Sequence, residues 1–531
     1  FENKAALAAA SLKEGQIVTT KGYYTAGDGG GATYLIKTAA AFGGTPDGYG
    51  DHSLANGNVA VLQVSGSVNV KQVGAVGDGA TDDTLAIQAA LSSGKDVHGD
   101  SSIYAVTTLV PVSNQTWVNT RLIAMPSASS VSLRPVVRIH GVSNLRLENI
   151  RVNGNRNNLE DINLSAGEDG GMHGFRISEG SNGIRLVDCE ANYCGTAGIA
   201  LHTTGISTTT AEYLIKNIYV DGFIGNYNRE HGMFADSFDG FTCNRSEFSY
   251  NGLTLVDGLP STHGSTGAYT TKLFGAGFDL ETYTGYPGSY FKNFYSSGIR
   301  AVGNSQPCLL YVPNSASENI ETPAKNIHIK DFYMETGVDA SSELWGLHLA
   351  GGTRSGSDYA IDGVYLTGVL IGHLEANNTK NITYTSGYIE SDTSVTYKAR
   401  VNNSAQSIVT VPSNRDNIKI ETLGSNVVVK DTGAGTLIIG TSSAVIANGK
   451  HTLDLGFTIS GALISGGAMS WTITLPTTVS AISSSIETYS GGSGKSVVSN
   501  VYDGGTNTVR IFITPNDDAI QGRLLIDVLL V

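Results

Sequence analysis

The sequence predicts an all-β chain built as a stacked solenoid, and three observations carry that prediction. The first is a short phrase that recurs through the middle of the chain: a glycine, an apolar residue, a variable residue, then a small or apolar one. It is written as His173-Gly174-Phe175-Arg176-Ile177-Ser178, Ala197-Gly198-Ile199-Ala200-Leu201-His202, His231-Gly232-Met233-Phe234-Ala235-Asp236, Ala276-Gly277-Phe278-Asp279-Leu280-Glu281 and Trp345-Gly346-Leu347-His348-Leu349-Ala350. A period of two marks a strand with one face buried, and its repetition marks a solenoid. The second is composition: 66 glycines with only 15% charged residues suit short strands joined by turns. The third is length, since 531 residues exceed one ordinary core and stacked repeats escape that limit.

Taken in order, residues 1–68 read as a compact opening module. Gly15-Gln16-Ile17-Val18-Thr19-Thr20 is a strand, and Gly27-Asp28-Gly29-Gly30-Gly31 is a turn between Tyr24 and Tyr34. A phosphate loop is not expected there, because no Lys-Ser/Thr pair or helix follows the glycines. Over 73–91 a strand enters a tight Gly77-Asp78-Gly79 turn, and Thr81 or Asp82 then caps a helix. Leu85, Ile87 and Leu91, with the alanines, are its expected apolar face, and acidic residues at its start suit the positive end of the dipole. Asp78, Asp82 and Asp83 lack the ligand alternation of a calcium loop, so capping is their expected role.

Rungs follow, beginning with Leu145-Arg146-Leu147-Glu148-Asn149-Ile150 and continuing to Asn326-Ile327-His328-Ile329 and Asn381-Ile382-Thr383-Tyr384. Asn192, Asn226, Asn228 and Asn251 recur at turn-like places, where stacked asparagines bond neighbouring backbone. From about residue 433 the strands lengthen, as in Ser470-Trp471-Thr472-Ile473-Thr474-Leu475 and Val509-Arg510-Ile511-Phe512-Ile513. These predict a separate antiparallel β domain, a sandwich or jelly roll. The expected division is 1–68, 69–432 and 433–531.

Several classes are excluded. A net charge of −14 repels phosphates, so a nucleic-acid partner is not expected. No apolar run approaches the ~18 residues of a membrane span, so no membrane insertion is expected. Residues 1–12 lack the basic start and apolar core of a signal peptide, and because the chain does not begin with Met an upstream segment is expected to be missing. Cys189, Cys194, Cys243 and Cys308 show no C-x-x-C spacing and are expected to be small buried thiols of a protein made in a reducing compartment.

Aligned on their glycines, the rungs place the variable residues in two outward columns. One holds Arg176, Ala200, Phe234, Asp279 and His348; the other holds Ser178, His202, Asp236, Glu281 and Ala350. Neighbouring rungs stand roughly 4.8 Å apart, so Asp236, Asp279 and Glu281 are expected to crowd on one outer face. Crowded carboxylates raise one another's pKa, and paired carboxyls flanking a sugar bond are the usual machinery of glycoside hydrolysis. The spacing leaves one point open. Gly174 to Gly198 spans 24 residues but Gly232 to Gly277 spans 45, so either a loop is inserted at about 252–273 or a whole rung intervenes. The Gly, Ser and Thr content of 254–272 favours the loop. Tyr283 and Tyr286 offer rings to stack on sugars, and Arg229, His231, His202, Trp345 and His348 flank the acids as candidate substrate contacts. Neither a cofactor nor a metal is expected.

The 73–91 segment resembles the opening signature of the pectate-lyase-like right-handed parallel β-helix. Gly22-Tyr23-Tyr24-Thr25-Ala26-Gly27-Asp28-Gly29-Gly30-Gly31-Ala32 resembles the head module of bacteriophage tailspike proteins. The likeness is close over roughly the first 90 residues, and the rung pattern extends it to about 430. It implies a right-handed parallel β-helix with a small N-terminal head and a C-terminal antiparallel β domain that serves trimerisation or glycan binding. It implies that the helix plugs the open end of the solenoid. It further implies a homotrimeric receptor-binding spike of the virion tail, made in the host cytoplasm and joined to other tail or baseplate proteins through its N-terminal side. Such spikes cut bacterial surface polysaccharide, capsule or O-antigen, usually by hydrolysis with acidic residues on or between β-helices. Some relatives are lyases, which typically need calcium and an Arg or Lys base, for which Arg176 and Arg229 are the nearby candidates. A spike that holds glycan without cutting it is the third class.

Overall fold

The computed structural model describes residues 1–125, 135–156, 172–202, 214–252, 275–282 and 290–305, and beyond these a series of strands ending at residue 530, with side chains only as far as residue 367. The chain falls into two compact units: Phe1–Asp279 with Ile299–Gln306, and Leu280–Gly298 with Pro307–Val531.

The first unit opens with a four-stranded antiparallel sheet of Ile17–Thr19, Thr33–Lys37, Val59–Gln63 and Asp51–Ser53, in that spatial order. Alternation along Thr33–Lys37 sends Tyr34 and Ile36 into a core with Leu7, Leu54 and Ala60. The glycine run is a turn, as expected, and Asp28 organises it: its carboxylate accepts the N–H groups of Tyr23, Tyr24, Thr25 and Gly30. Gly27 and Gly29 there hold φ of 85° and 87°, the left-handed region that glycine enters without a Cβ penalty.

Parallel pairing begins where Ser67–Asn69 meets Asp96–His98. The helix spans Thr84–Ser92, and its N-cap residue is Asp83 rather than Thr81 or Asp82. The Asp83 carboxylate turns back to accept Val76 N–H at 2.5 Å and Gly77 N–H at 3.0 Å. Asp82 accepts Thr84 N–H, and Asp78 accepts Ala80 and Thr81 N–H. All three aspartates thus bind backbone. Leu85 is 63% exposed, against the expected apolar face, which is instead Ala86, Ile87, Ala90 and Leu91. At about 100° per residue those four form one stripe and Leu85 falls opposite it.

The rungs stack in parallel. Val137–His140, Phe175–Ser178, Ile199–Leu201 and Met233–Ala235 form one sheet, in register Phe175↔Ile199↔Met233. Thr116–Ala124, Ser143–Asn153, Asn182–Val187 with Glu190–Asn192, Ile215–Asp221 and Phe238–Asn244 form the other. The fold is a parallel β-helix. Rings of Phe175, Phe223 and Phe248 follow one another inside it, at centroid separations of 5.8 and 6.0 Å. Asparagine makes the corners. Asn119 and Asn149 sit at φ of 55° and 51°, and the Asn149 amide donates to the Asn119 oxygen at 2.9 Å. Inside, Asn228 accepts Cys194 N–H, Asn251 accepts Asn228 N–H and Asn304 accepts Asn251 N–H. Asn192 and Asn226 continue the device, accepting Asn226 and Ser249 N–H. Stacked asparagines bonding backbone were expected at these positions.

The hydrogen bonds also decide the open spacing. Gly198 and Ile199 N–H donate to His231 and Gly232 carbonyls; Gly232 and Met233 N–H donate in the same way to Ala276 and Gly277 carbonyls. The rung of Gly277 therefore follows that of Gly232 directly.

In the second unit, parallel strands Cys308–Val312, Leu347–Gly351, Leu374–Asn377, Ala399–Asn402 and Ile418–Leu423 run in one sheet. Ala324–Met334, Ile361–Ile371, Thr379–Ile389, Ser407–Val411 and Val427–Asp431 run in another. Pairing turns antiparallel where Gly435–Ile439 meets Val427–Asp431 and Ser443–Ala447 meets Ile418–Leu423. Lys450–Ser460, Ala519–Leu530 and Val479–Ser490 then pair antiparallel, as do Met469–Thr474, Thr508–Thr514 and Val497–Asp503. Among the described residues no helix is long and apolar enough to cross a membrane. All four cysteines are buried thiols, and burial pushes Cys189, Cys194 and Cys243 up to about 12.

Candidate active site

Alternate residues of the first sheet enter the core: Phe175, Ile177, Ile199, Leu201, Ala235 and Phe278 are fully buried and Met233 nearly so. Their neighbours leave on the other side. Register sets Arg176, Ala200 and Phe234 in one column, and the Met233–Gly277 bond puts Asp279 next after Phe234. A second column runs from His140 to Ser178, and His202 and Asp236 continue it through N–H bonds to the Ile177 and Leu201 carbonyls.

These columns bring together two histidine–carboxylate pairs. His202 Nδ1 hydrogen-bonds Asp236 Oδ2 across one rung. His231 Nε2 lies 3.6 Å from Asp279 Oδ2, while its Nδ1 accepts Ala276 N–H at 3.2 Å. Phe234 sits against both imidazoles, at 5.9 Å from each. From strand spacing and rise, the Cα atoms of Asp236 and Asp279 stand roughly 8 Å apart, on neighbouring strands and two positions out of step.

The expected open outer face is corrected. Asp236 is 1% exposed, Asp279 3%, and Arg176 and Arg229 2% each. Alternation tells which way a side chain leaves its strand, and it carries no information on what covers that side. Burial then shapes the electrostatics. It pushes the His231 imidazole down to about 4, so this ring is neutral near pH 7. It holds His173 well below the ordinary histidine value, with the charge of Arg176 acting in the same direction. It raises Glu230, which the neighbouring Arg229 partly offsets.

Two acids were missed by the sequence reading. Glu230 precedes the glycine phrase, outside the aligned columns; the Arg229-Glu230-His231 run was its available signal. Glu179 follows its strand at φ 24° and binds His140 Nδ1 at 2.8 Å, a third histidine–carboxylate pair on the same side of the sheet. Glu281 ends the strand Phe278–Glu281 and is partly buried; it belongs to the second unit. His348 stands in Leu347–Gly351 opposite Leu309. The intervening strand Cys308–Val312 lacks the glycine phrase by which rungs were counted. The side chain of His348, and Tyr283, Tyr286 and Trp345, lie outside the described residues. Among the described residues no group of three or more His, Cys, Asp or Glu side chains is placed to hold a metal ion.

Residues 67–108 match the family model described as rhamnogalacturonase A/epimerase, pectate lyase-like. No curated protein matches the chain significantly. Among solved structures, the tailspike protein gp49 of Acinetobacter baumannii bacteriophage Fri1, a capsular polysaccharide depolymerase, is similar at 11% identity, covering 99% of this chain and 96% of its own, with a TM-score of 0.43. The enzymatically active domain of tailspike protein 2 of bacteriophage CBA120 is similar at 13% identity, over 99% and 79%, with a TM-score of 0.48. The A-module of the Azotobacter vinelandii mannuronan C-5 epimerase AlgE6 is similar at 15% identity, over 68% and 96%, with a TM-score of 0.37.

Proposed function

We propose that this chain is a tailspike depolymerase that hydrolyses glycosidic bonds of a bacterial surface polysaccharide. One observation carries the reading: Asp236 and Asp279 occupy adjacent rungs, buried, each with an imidazole at its carboxylate. In the proposed reaction the Asp279 carboxylic acid protonates the glycosidic oxygen, and the Asp236 carboxylate takes a proton from the water that attacks the anomeric carbon. The roles divide by partner. Asp236 is hydrogen-bonded to His202, whereas the His231 ring beside Asp279 is neutral and stands 3.6 Å from its carboxylate. Glu281, two residues past Asp279, is the third carboxylate of the proposed site, with His202, Arg229, Tyr283, Tyr286, Trp345 and His348 as sugar contacts.

The head-like first 90 residues support the wider role of a homotrimeric virion spike whose N-terminal side meets other tail proteins. The division 1–68, 69–432 and 433–531 accompanies that role, the last part serving trimer stability or glycan holding. Incubation with capsules and O-antigens from a strain panel, followed by sizing of the products, tests the function. Intact polysaccharide throughout the panel would count against it.

A further inference from the structure

The corners before two of the rung glycines, Gly174 and Gly232, carry a repeated device. His173 Nδ1 accepts Ala197 N–H at 3.3 Å and hydrogen-bonds the Thr196 hydroxyl at 2.9 Å. His231 Nδ1 accepts Ala276 N–H at 3.2 Å. A backbone N–H has only a proton to offer, so in both rings Nδ1 carries none and the neutral imidazole holds its proton on Nε2. The two corners differ three residues after the bonded N–H: Ala200 follows Ala197, whereas Asp279 follows Ala276. One histidine therefore ties two rungs together, and the other ties two rungs and also faces a carboxylate, Nε2 to Oδ2 at 3.6 Å.

We infer that His231 is the positioning residue of Asp279: locked by Ala276 as its Nε2–H form, it directs that hydrogen to Oδ2 and so keeps the transferable proton on Oδ1. The inference rests on the proposed role of Asp279 and adds a part played by neither carboxylate. A small rotation of the Asp279 carboxyl closes 3.6 Å to a hydrogen bond, as catalytic contacts tighten once substrate is in place. When Asp279 gives up its proton, the same Nε2–H stabilises the carboxylate that forms, and no charge is needed on the ring. The ring's strong preference for the neutral state, pushed down to about 4, is what burial supplies.

Two substitutions separate positioning from rung-tying. The Asn amide reaches only as far as Nδ1, so His231→Asn keeps an acceptor for Ala276 and loses the donor to Asp279. The Gln amide reaches the Nε2 position, so His231→Gln keeps that donor and gives up the acceptor. On a polysaccharide that the strain panel shows to be cleaved, His231→Asn is expected to lower kcat at least tenfold with KM and melting temperature little changed. His231→Gln is expected to hold kcat within a few-fold while melting lower. The opposite order would reduce His231 to a rung tie and overturn the inference. His173→Asn, at the corner where Ala200 stands in the place of Asp279, is expected to leave kcat unchanged. Asp279→Asn separates the two proposals: full turnover in that variant sinks the catalytic assignment itself. Neutron diffraction in heavy water at neutral pD reads the tautomer without any substrate. A deuteron on Nε2 supports the inference, and one on Nδ1 overturns it whatever the enzyme cleaves.

Discussion

His202 and Asp236 stand 34 residues apart in sequence and meet through Nδ1 and Oδ2 across a single rung spacing. The pair is made by register alone: each residue directly follows its own short strand, Ile199–Leu201 or Met233–Ala235. Asp236 is only 1% exposed, so this hydrogen bond is made away from water.

Removing that support is expected to cost both activity and stability. His202→Ala removes one hydrogen bond from a buried carboxylate, a loss of about 1–3 kcal/mol. Turnover is expected to fall at least 10²-fold, in the range typical of acid–base groups. Paired rate measurements and thermal melts check this, and an unchanged melting temperature would contradict the burial argument.

Acid is expected to destabilise the protein before ordinary carboxylates titrate. His52 and His231 are pushed down to about 4, and His173 lies well below its ordinary value; burial is the first cause in each. An unfolded histidine protonates near 6.5. Between about 6.5 and 4 the unfolded chain therefore binds protons that the native state refuses, and stability falls as pH falls through that window. Each histidine contributes up to about 1.4 kcal/mol per pH unit there. Glu230, Asp51 and Asp83 work the other way, because their raised values let the native state keep protons that the unfolded chain has released. The three histidines act from about 6.5 downward, above the range where the unfolded carboxylates titrate, and set the sign there. Melting temperature should drop from pH 7 to 5, and His52→Gln should flatten the slope; a level profile in the native chain would rule the account out.

The asparagine ladder gives a third test. Asn251 is fully buried, accepts Asn228 N–H, and donates from its amide to the Gly225 carbonyl and the Asn304 oxygen. Asn251→Ala strands several of these groups at about 1–3 kcal/mol each. Melting should fall by several degrees with the rung order unchanged, whereas a variant that melts like the native chain would show the ladder to be ornamental.

The rung phrase was legible because glycine position and period-2 alternation are properties of the strand itself. Column membership of Asp236 and Asp279 followed from it, and the adjacency of their rungs was correctly favoured from the poor rung character of 254–272. Burial of those acids was not legible, since it depends on what lies over the strand's outer side. Glu230 and Glu179 were missed because both sit just outside the aligned phrase. Leu85 was misplaced for a smaller reason: at about 100° per residue it falls on the opposite side of the helix from Ile87 and Leu91. Cys308–Val312 shows the limit of motif counting: a rung lacking the glycine phrase is invisible to it.

Assembly is a separate prediction, motivated by the tailspike-like head. Light scattering on the intact chain should give about three times 55.5 kDa. A clean monomer at micromolar concentration would decide against the spike.

The central claim is hydrolysis by Asp236 and Asp279, and mass spectrometry of the released oligosaccharides tests it most directly. The account predicts fragments carrying one added water and a reducing end, and their disappearance in Asp279→Asn at an unchanged melting temperature. Fragments lighter by one water, with the ultraviolet absorbance of a conjugated double bond, would contradict it.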